Sequence, residues 1–177
     1  MNLQSSDFEL FGLTPGFAQD RASLDACWKD LQREVHPDKF AAQGAAAQRL
    51  SMQWSVRINE AYQRLKDPLK RAAYLCELNG APVNAENNTA MPTAFLMQQM
   101  AWREALDEAA STNALAALND EVQNARTSTL ERCAALIDDS RDYLQAVAQV
   151  RALMFIDRFS RDIGARLDQL DTADRGQ

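Results

Sequence analysis

Histidine is nearly missing from this chain: His36 is the only one among 177 residues. Cysteine is scarce and scattered, with Cys27, Cys76 and Cys133 far apart and no Cys-x-x-Cys pair. One imidazole and three isolated thiols cannot make the usual nitrogen–sulfur ligand set of a metal centre. An odd, dispersed set of thiols is no disulfide frame either, and it fits a reducing compartment. The chain has no Gly-x-Ser-x-Gly or other nucleophile motif and no Gly-x-x-x-x-Gly-Lys-Ser/Thr loop, so any ATP chemistry must belong to a partner. The N-terminal stretch MNLQSSDFELF lacks both a basic leader and an apolar segment, and no apolar run is long enough to cross a bilayer. The cytoplasm is the expected compartment, with no membrane partner. A basic excess is also lacking. The net charge of −6 opposes a phosphate backbone as the main partner, and nucleic-acid binding would need a larger basic stripe than Lys29, Arg33 and Lys39.

The hydrophobic fraction of 46% is ordinary for a packed domain. Its pattern is helical throughout, and no alternating β-branched stretch competes. Asp7 to Phe11 reads as a short helix after Ser5 and Ser6, closed by Gly12 and the Pro15–Gly16 turn. A second helix should begin after Asp20, a good N-cap, with Leu24, Cys27, Trp28, Leu31 and Val35 on one stripe. It must stop at His36, because the residue before a proline is pushed out of the α region. A third takes its stripe from Leu50, Trp54, Ile58, Ala61 and Leu65. A fourth has Asp67 as cap, Pro68 at its first position and Gly80 beyond its end. The following APVNAENNTAMP has little to bury and reads as a linker. Three longer helices are expected after it, near 93–110, 113–137 and 139–170. The expected fold class is all-α: a four-helix first domain over 1–80, a linker over 81–92, and an up-down three-helix bundle over 93–177.

The only histidine lies in REVHPDKF, Arg33 to Phe40. At about 100° per residue, Lys29, Arg33 and His36 fall opposite the apolar stripe of the second helix. A basic helix face thus runs into a turn that displays His36, Pro37, Asp38 and Lys39. His36 and Asp38 could be read as an acid–base pair. A general base, however, needs a pocket, a grip on substrate and usually a third orienting group, and none is in view. No catalytic residue is expected.

His36-Pro37-Asp38 stands between two helices of suitable length, with Asn59-Glu60-Ala61-Tyr62 and Asp67-Pro68 following at family spacing. In this constellation, over about Ser5 to Gly80, the chain resembles a J-domain. The resemblance implies a partner, an ATP-dependent chaperone of the DnaK class whose ATP hydrolysis is stimulated. Pro37 would stiffen the loop so that Asp38 offers an oriented carboxylate to an arginine of that chaperone. Lys29, Arg33 and Lys39 would supply a positive strip for an acidic surface, aiding encounter more than affinity. His36 would shape the loop.

The second half holds a separate anomaly. In AFLMQQMAWREALDEA, Phe95, Gln99, Trp102, Leu106 and Ala109 share the stripe that should face the bundle. Leu96, Met97 and Met100 fall off it, among Glu104, Asp107 and Glu108. Either they pack on a neighbouring element, or they form an apolar patch rimmed by charge, which marks a partner site. Methionine suits such a surface because it adapts its shape. Leu153-Met154-Phe155-Ile156 is apolar on all sides within one turn, so at least one side chain should lie outside the bundle seam. It touches the first domain or joins the Leu96/Met100 patch.

AFLMQQMAWREALDE, with the J-domain, the linker and RALMFIDRF, is similar to the HscB family of J-type co-chaperones in iron–sulfur cluster assembly. The resemblance covers nearly the whole chain. It implies that the bundle binds the scaffold protein on which the cluster is built, an IscU-like partner, and that the J-domain hands it to an HscA-like chaperone. The scaffold-contacting positions of that family fall here on Leu96, Met97, Met100, Glu104, Glu108 and Phe155. No resident cofactor is implied. Two departures stand out: Ala101 replaces a frequent glutamate, removing one polar contact, and Pro92-Thr93 replaces the usual Asp-Pro before the helix. The cysteine-rich extension of some eukaryotic relatives is absent, which favours a bacterial type. The alternative is a J-domain adaptor that carries a different client to the same class of chaperone.

Overall fold

The structure, a computed structural model, describes residues 2–84 and 91–175. Residues 85–90, the middle of the expected linker, lie outside the described residues. Among the described residues seven α-helices follow in order: α1 Asp7–Leu10, α2 Arg21–Glu34, α3 Ala45–Lys66, α4 Pro68–Leu78, α5 Thr93–Glu108, α6 Thr112–Ala134 and α7 Tyr143–Arg175. A 3₁₀ segment, Pro37–Gln43, joins α2 to α3, and a π turn, Ala135–Asp139, ends α6. The fold is all-α, with no strand among the described residues. Among the described residues, no helix is long and apolar enough to cross a membrane.

The chain divides into two compact units, residues 1–75 and 76–177. The division falls inside α4, so the last turn of that helix goes with the second unit.

Local chemistry explains the boundaries in the first unit. Ser6 and Glu9 form a reciprocal capping box at α1, with the Ser6 hydroxyl accepting from Glu9 N and Glu9 Oε2 accepting from Ser6 N. Asp20 caps α2 by accepting from Ser23 N at 2.8 Å. Asp67 Oδ1 accepts from Leu69 N and Lys70 N, which leaves Pro68 where its missing N–H costs nothing. Gly44, between the 3₁₀ segment and α3, has φ 92° and ψ 170°, a region that side chains exclude.

Leu24, Val35, Ile58, Ala61 and Leu65 are buried where α2 and α3 pack together, and Phe8, Phe11 and Phe17 are buried as well. One expectation fails here. Leu50 was placed on the core stripe of α3, but it is 49% exposed. Ser51 turns inward instead, and its hydroxyl donates to the carbonyl of Val35 at 2.6 Å. Ser51, and not Leu50, thus faces the end of α2, which leaves the leucine on the outer side of α3.

The second unit is built on α6 and α7, with α5 laid along them. Leu115, Leu118, Val122, Ile156, Phe159 and Ile163 form the seam, closed by Trp102 and Ala109 from α5. Arg126 Nε and Asp157 Oδ1 pair at 2.7 Å across α6 and α7. The described ends of the linker are better packed than its composition suggests. Ala81, Val83 and Met91 are buried, and Arg151 Nε donates to the Val83 carbonyl at 2.8 Å.

Candidate partner-binding surfaces

The first surface begins with the hairpin that holds it. Trp28 stacks on Tyr62 with ring centroids 4.9 Å apart, and Trp28 Nε1 donates to Asn59 Oδ1 at 2.9 Å. Gln32 Nε2 donates to the same Asn59 oxygen at 2.8 Å, while Ser55 Oγ donates back to Gln32 Oε1 at 2.9 Å. Near the start of α2, Tyr62 Oη donates to Asp25 Oδ1 at 2.7 Å, and Arg21 Nε lies 2.8 Å from the same oxygen. The Tyr62 hydroxyl, followed by Arg21, holds the Asp25 carboxyl below its ordinary range. Asn59 and Tyr62 of the Asn-Glu-Ala-Tyr run are thus structural: they fix α3 against α2.

At the far end of this hairpin His36 leaves the helix at φ −59° and ψ 129°, and Pro37 opens the 3₁₀ segment. The tripeptide was expected as an open turn; it is the start of a short helix. His36 Nδ1 faces the Asp38 N–H at 3.4 Å, and Lys39 N donates to the His36 carbonyl at 3.0 Å. The Asp38 side chain is 91% exposed, with Oδ2 3.6 Å from His36 Nδ1. Its carboxylate is therefore free for an incoming donor, on a backbone held at the preceding residue. Lys29, Arg33 and Lys39 are all exposed. Arg33 is already engaged, since its Nη1 lies 3.1 Å from Asp30 Oδ1. The strip of free positive charge is narrower than the sequence suggests.

The second surface is the outer face of α5. Phe95, Gln99 and Leu106 are half-buried while Trp102 and Ala109 are buried. On the opposite side Leu96 is 40%, Met97 67% and Met100 72% exposed. Glu104 and Glu108 are exposed one and two turns further along. Leu96, Met100, Glu104 and Glu108 stand four residues apart and make one stripe, apolar at the N-terminal end and acidic at the other.

Phe155 is less open than Leu96 and Met100. It is half-buried, with Phe95 edge-on at 5.8 Å, Phe159 stacked at 5.9 Å and the Arg103 guanidinium 5.7 Å above its ring. Of the four apolar residues in that turn, Leu153 and Ile156 are fully buried and Met154 is exposed. A four-aromatic cluster on α5 and α7 explains why Phe155 leans inward. Sequence reasoning missed Glu121 on α6, whose carboxylate accepts from α5. Ser51 and Gln32 were missed as well, because polar residues at helix interfaces carry no periodic signal.

No group of three or more His, Cys, Asp or Glu side chains able to hold a metal occurs among the described residues.

Comparison with known proteins agrees along the chain. The HSCB C-terminal oligomerisation domain profile matches residues 91–164. The co-chaperone protein HscB homolog of Burkholderia multivorans is 49% identical over 175 residues, covering 97% of this chain and 99% of that protein. The chain belongs to the HscB co-chaperone family. The HscB homolog of Burkholderia thailandensis is 50% identical over 174 residues, with 97% and 99% of the two chains covered. Among solved structures, the chaperone HscB of Vibrio cholerae superposes with a TM-score of 0.82 at 35% identity, over 94% of this chain and 99% of the other. The human co-chaperone protein HscB gives 0.88 at 25% identity, over 94% and 84%. The similarity thus extends over both units.

Proposed function

We propose that the protein is a cytoplasmic J-type co-chaperone of iron–sulfur cluster assembly. The domains are a J-domain over 1–80, a linker over 81–92 and a scaffold-binding bundle over 93–177. Through His36, Pro37 and Asp38, with Lys29, Arg33 and Lys39 alongside, the J-domain engages an HscA-like chaperone of the DnaK class and stimulates its ATPase. Through Leu96, Met97, Met100, Glu104, Glu108 and Phe155, the bundle carries an IscU-like scaffold to that chaperone. The iron–sulfur cluster is cargo on the scaffold.

The observation that carries this reading is the exposed apolar face of α5 in a chain that also displays Asp38. Soluble helices seldom leave two methionines and a leucine together in water, and a clustered patch with an acidic rim marks a protein partner. The chemistry is that of recognition: an oriented carboxylate on one unit, adaptable apolar anchors on the other. Ala101 lies on the α5 surface without a charge, so the acidic rim is carried by Glu104, Asp107 and Glu108 further along the helix.

The test is a steady-state ATPase assay of the HscA-like chaperone with and without this protein, and with the scaffold added. Stimulation by the protein alone, amplified by the scaffold, is expected, together with direct scaffold binding in calorimetric titration. Stimulation without scaffold binding would replace this reading with that of an adaptor for another client.

A further inference from the structure

Helix α5 has an orientation problem. It carries apolar side chains on two opposite faces, Phe95, Trp102 and Leu106 on one and Leu96, Met97 and Met100 on the other. Burial is non-directional, so apolar packing by itself discriminates poorly between a helix seated on the first face and one rotated toward the second. Stacking of Trp102 on Phe155 and Phe159 favours the first face, and a directional contact sharpens that choice.

That contact is Glu121. From α6, its Oε1 accepts from Trp102 Nε1 at 2.8 Å and from Gln98 Nε2 at 2.9 Å. The two donors are four residues apart, one turn of the same side of α5. Two points of attachment along the helix fix its rotation about its own axis. At about 100° per residue the clamp residues and the stripe from Leu96 through Met100 to Glu104 lie on opposite sides of the helix. Whatever holds Gln98 and Trp102 toward α6 therefore aims the patch at solvent. Hydrogen bonds to a carboxylate are angle-dependent, which suits them to this task although Glu121 is itself exposed.

We propose that Glu121 is a positioning residue for partner binding, setting the rotation of α5 and thereby the presentation of Leu96, Met97 and Met100. The inference rests on the reading of the α5 face as the scaffold-binding surface. Glu121 acts through Trp102 and Gln98 and not by touching the partner.

The experiment uses the full chain and the purified IscU-like scaffold. E121A should weaken scaffold binding by about tenfold, the scale of one lost charge-assisted contact. E121Q, which keeps an acceptor in place, should restore binding to within about threefold of wild type. The indole N–H signal of Trp102 in a proton–nitrogen spectrum, assigned with W102F, should move in E121A and return in E121Q. Q98A, which removes one leg of the clamp, should fall between. M100A serves as a control on the surface itself. Wild-type binding that M100A weakens and E121A does not would overturn the proposal alone. An absence of wild-type scaffold binding would overturn the surface assignment and the proposal with it. A collapse of folding in E121A would also overturn it, because Glu121 would then hold the bundle together and not merely orient α5.

Discussion

The ring of Phe155 on α7 lies parallel to that of Trp102 on α5, with centroids 6.4 Å apart and planes 11° from parallel. Phe155 is thus shared between the surface and the aromatic core, whereas Leu96 and Met100 belong to the surface alone. Substitution should separate the two classes. Phe155→Ala is expected to cost about 2 kcal/mol, less than the roughly 3–5 of a fully buried phenylalanine, and to weaken scaffold binding. Leu96→Ala with Met100→Ala should shift stability by no more than about 0.5 kcal/mol each, while removing anchors on which binding depends. Thermal unfolding and calorimetric titration of the two variants check this. Equal destabilisation by both would mean that the α5 face is core.

Asp38 gives the complementary case. Its carboxylate is 91% exposed and makes no close ion pair beyond the 3.6 Å approach to His36. Asp38→Asn keeps the volume and removes the charge, so stability should change by less than about 0.5 kcal/mol. Stimulation of the chaperone ATPase should be lost while scaffold binding persists. Lys29→Ala should reduce stimulation more at low salt than at high. Arg33→Ala should do less, because its guanidinium is already spent partly on Asp30. Unaltered stimulation by the Asp38→Asn protein would remove this loop from the mechanism.

The helices and their caps were legible in the sequence because they rest on local chemistry. Asp20, Asp67 and Pro68 sit where their capping groups are needed, and the stripe of α2 from Leu24 to Val35 turns inward as its spacing predicts. The outward face of α5 was legible for the same reason. What could not be read were choices made by neighbours distant in sequence. Leu50 stays in water, with Met52 and Val56 exposed on the same helix, because Ser51 and Ser55 are the residues that face α2 there. Phe155 leans inward because Phe95 and Phe159 offer it ring partners. Glu121 has no periodic signature at all, since its role depends on a tryptophan 19 residues away.

Asp7 offers a third test. Its side chain is fully buried, with Arg57 Nη1 2.7 Å from Oδ1 and Arg64 Nη1 3.0 Å from Oδ2. The Arg64 contact is a hydrogen bond, while that to Arg57 is an ion pair without hydrogen-bond alignment. Arg57 also donates to the Ser5 carbonyl at 2.8 Å, tying the N-terminal segment to α3. Asp7→Ala would leave partly buried guanidinium charge without its counterion, at a cost of about 3–5 kcal/mol. The loss should appear in urea unfolding as a lower midpoint for the first unit, with scaffold binding by the bundle retained below that midpoint. A change of under about 1 kcal/mol would show that solvent replaces the carboxylate at little cost.

The thiols supply the last prediction. Cys76 and Cys133 are buried free cysteines, and burial pushes their thiols up from near 9.0 to about 11 and about 12 respectively. Cys27 is only half-buried and donates to the Phe11 carbonyl at 3.3 Å; burial, then Asp30 and Glu34, raises it as well. The thiolate is the reactive form, so native protein at pH 8 should react slowly with iodoacetamide, Cys27 first. Mass spectrometry should count one slow adduct in buffer and three rapid ones in urea. The same shifts set a pH dependence. A folded-state pKa above the unfolded value gives stability that is complete below pH 9 and is lost as pH rises toward 11–12, because the unfolded chain releases its protons first. Cys133→Ala should flatten that alkaline decline, at the cost of a small cavity beside α6. An unchanged alkaline profile in Cys133→Ala, or fast native labelling of Cys133, would show that water reaches this thiol and that the end of α6 is open.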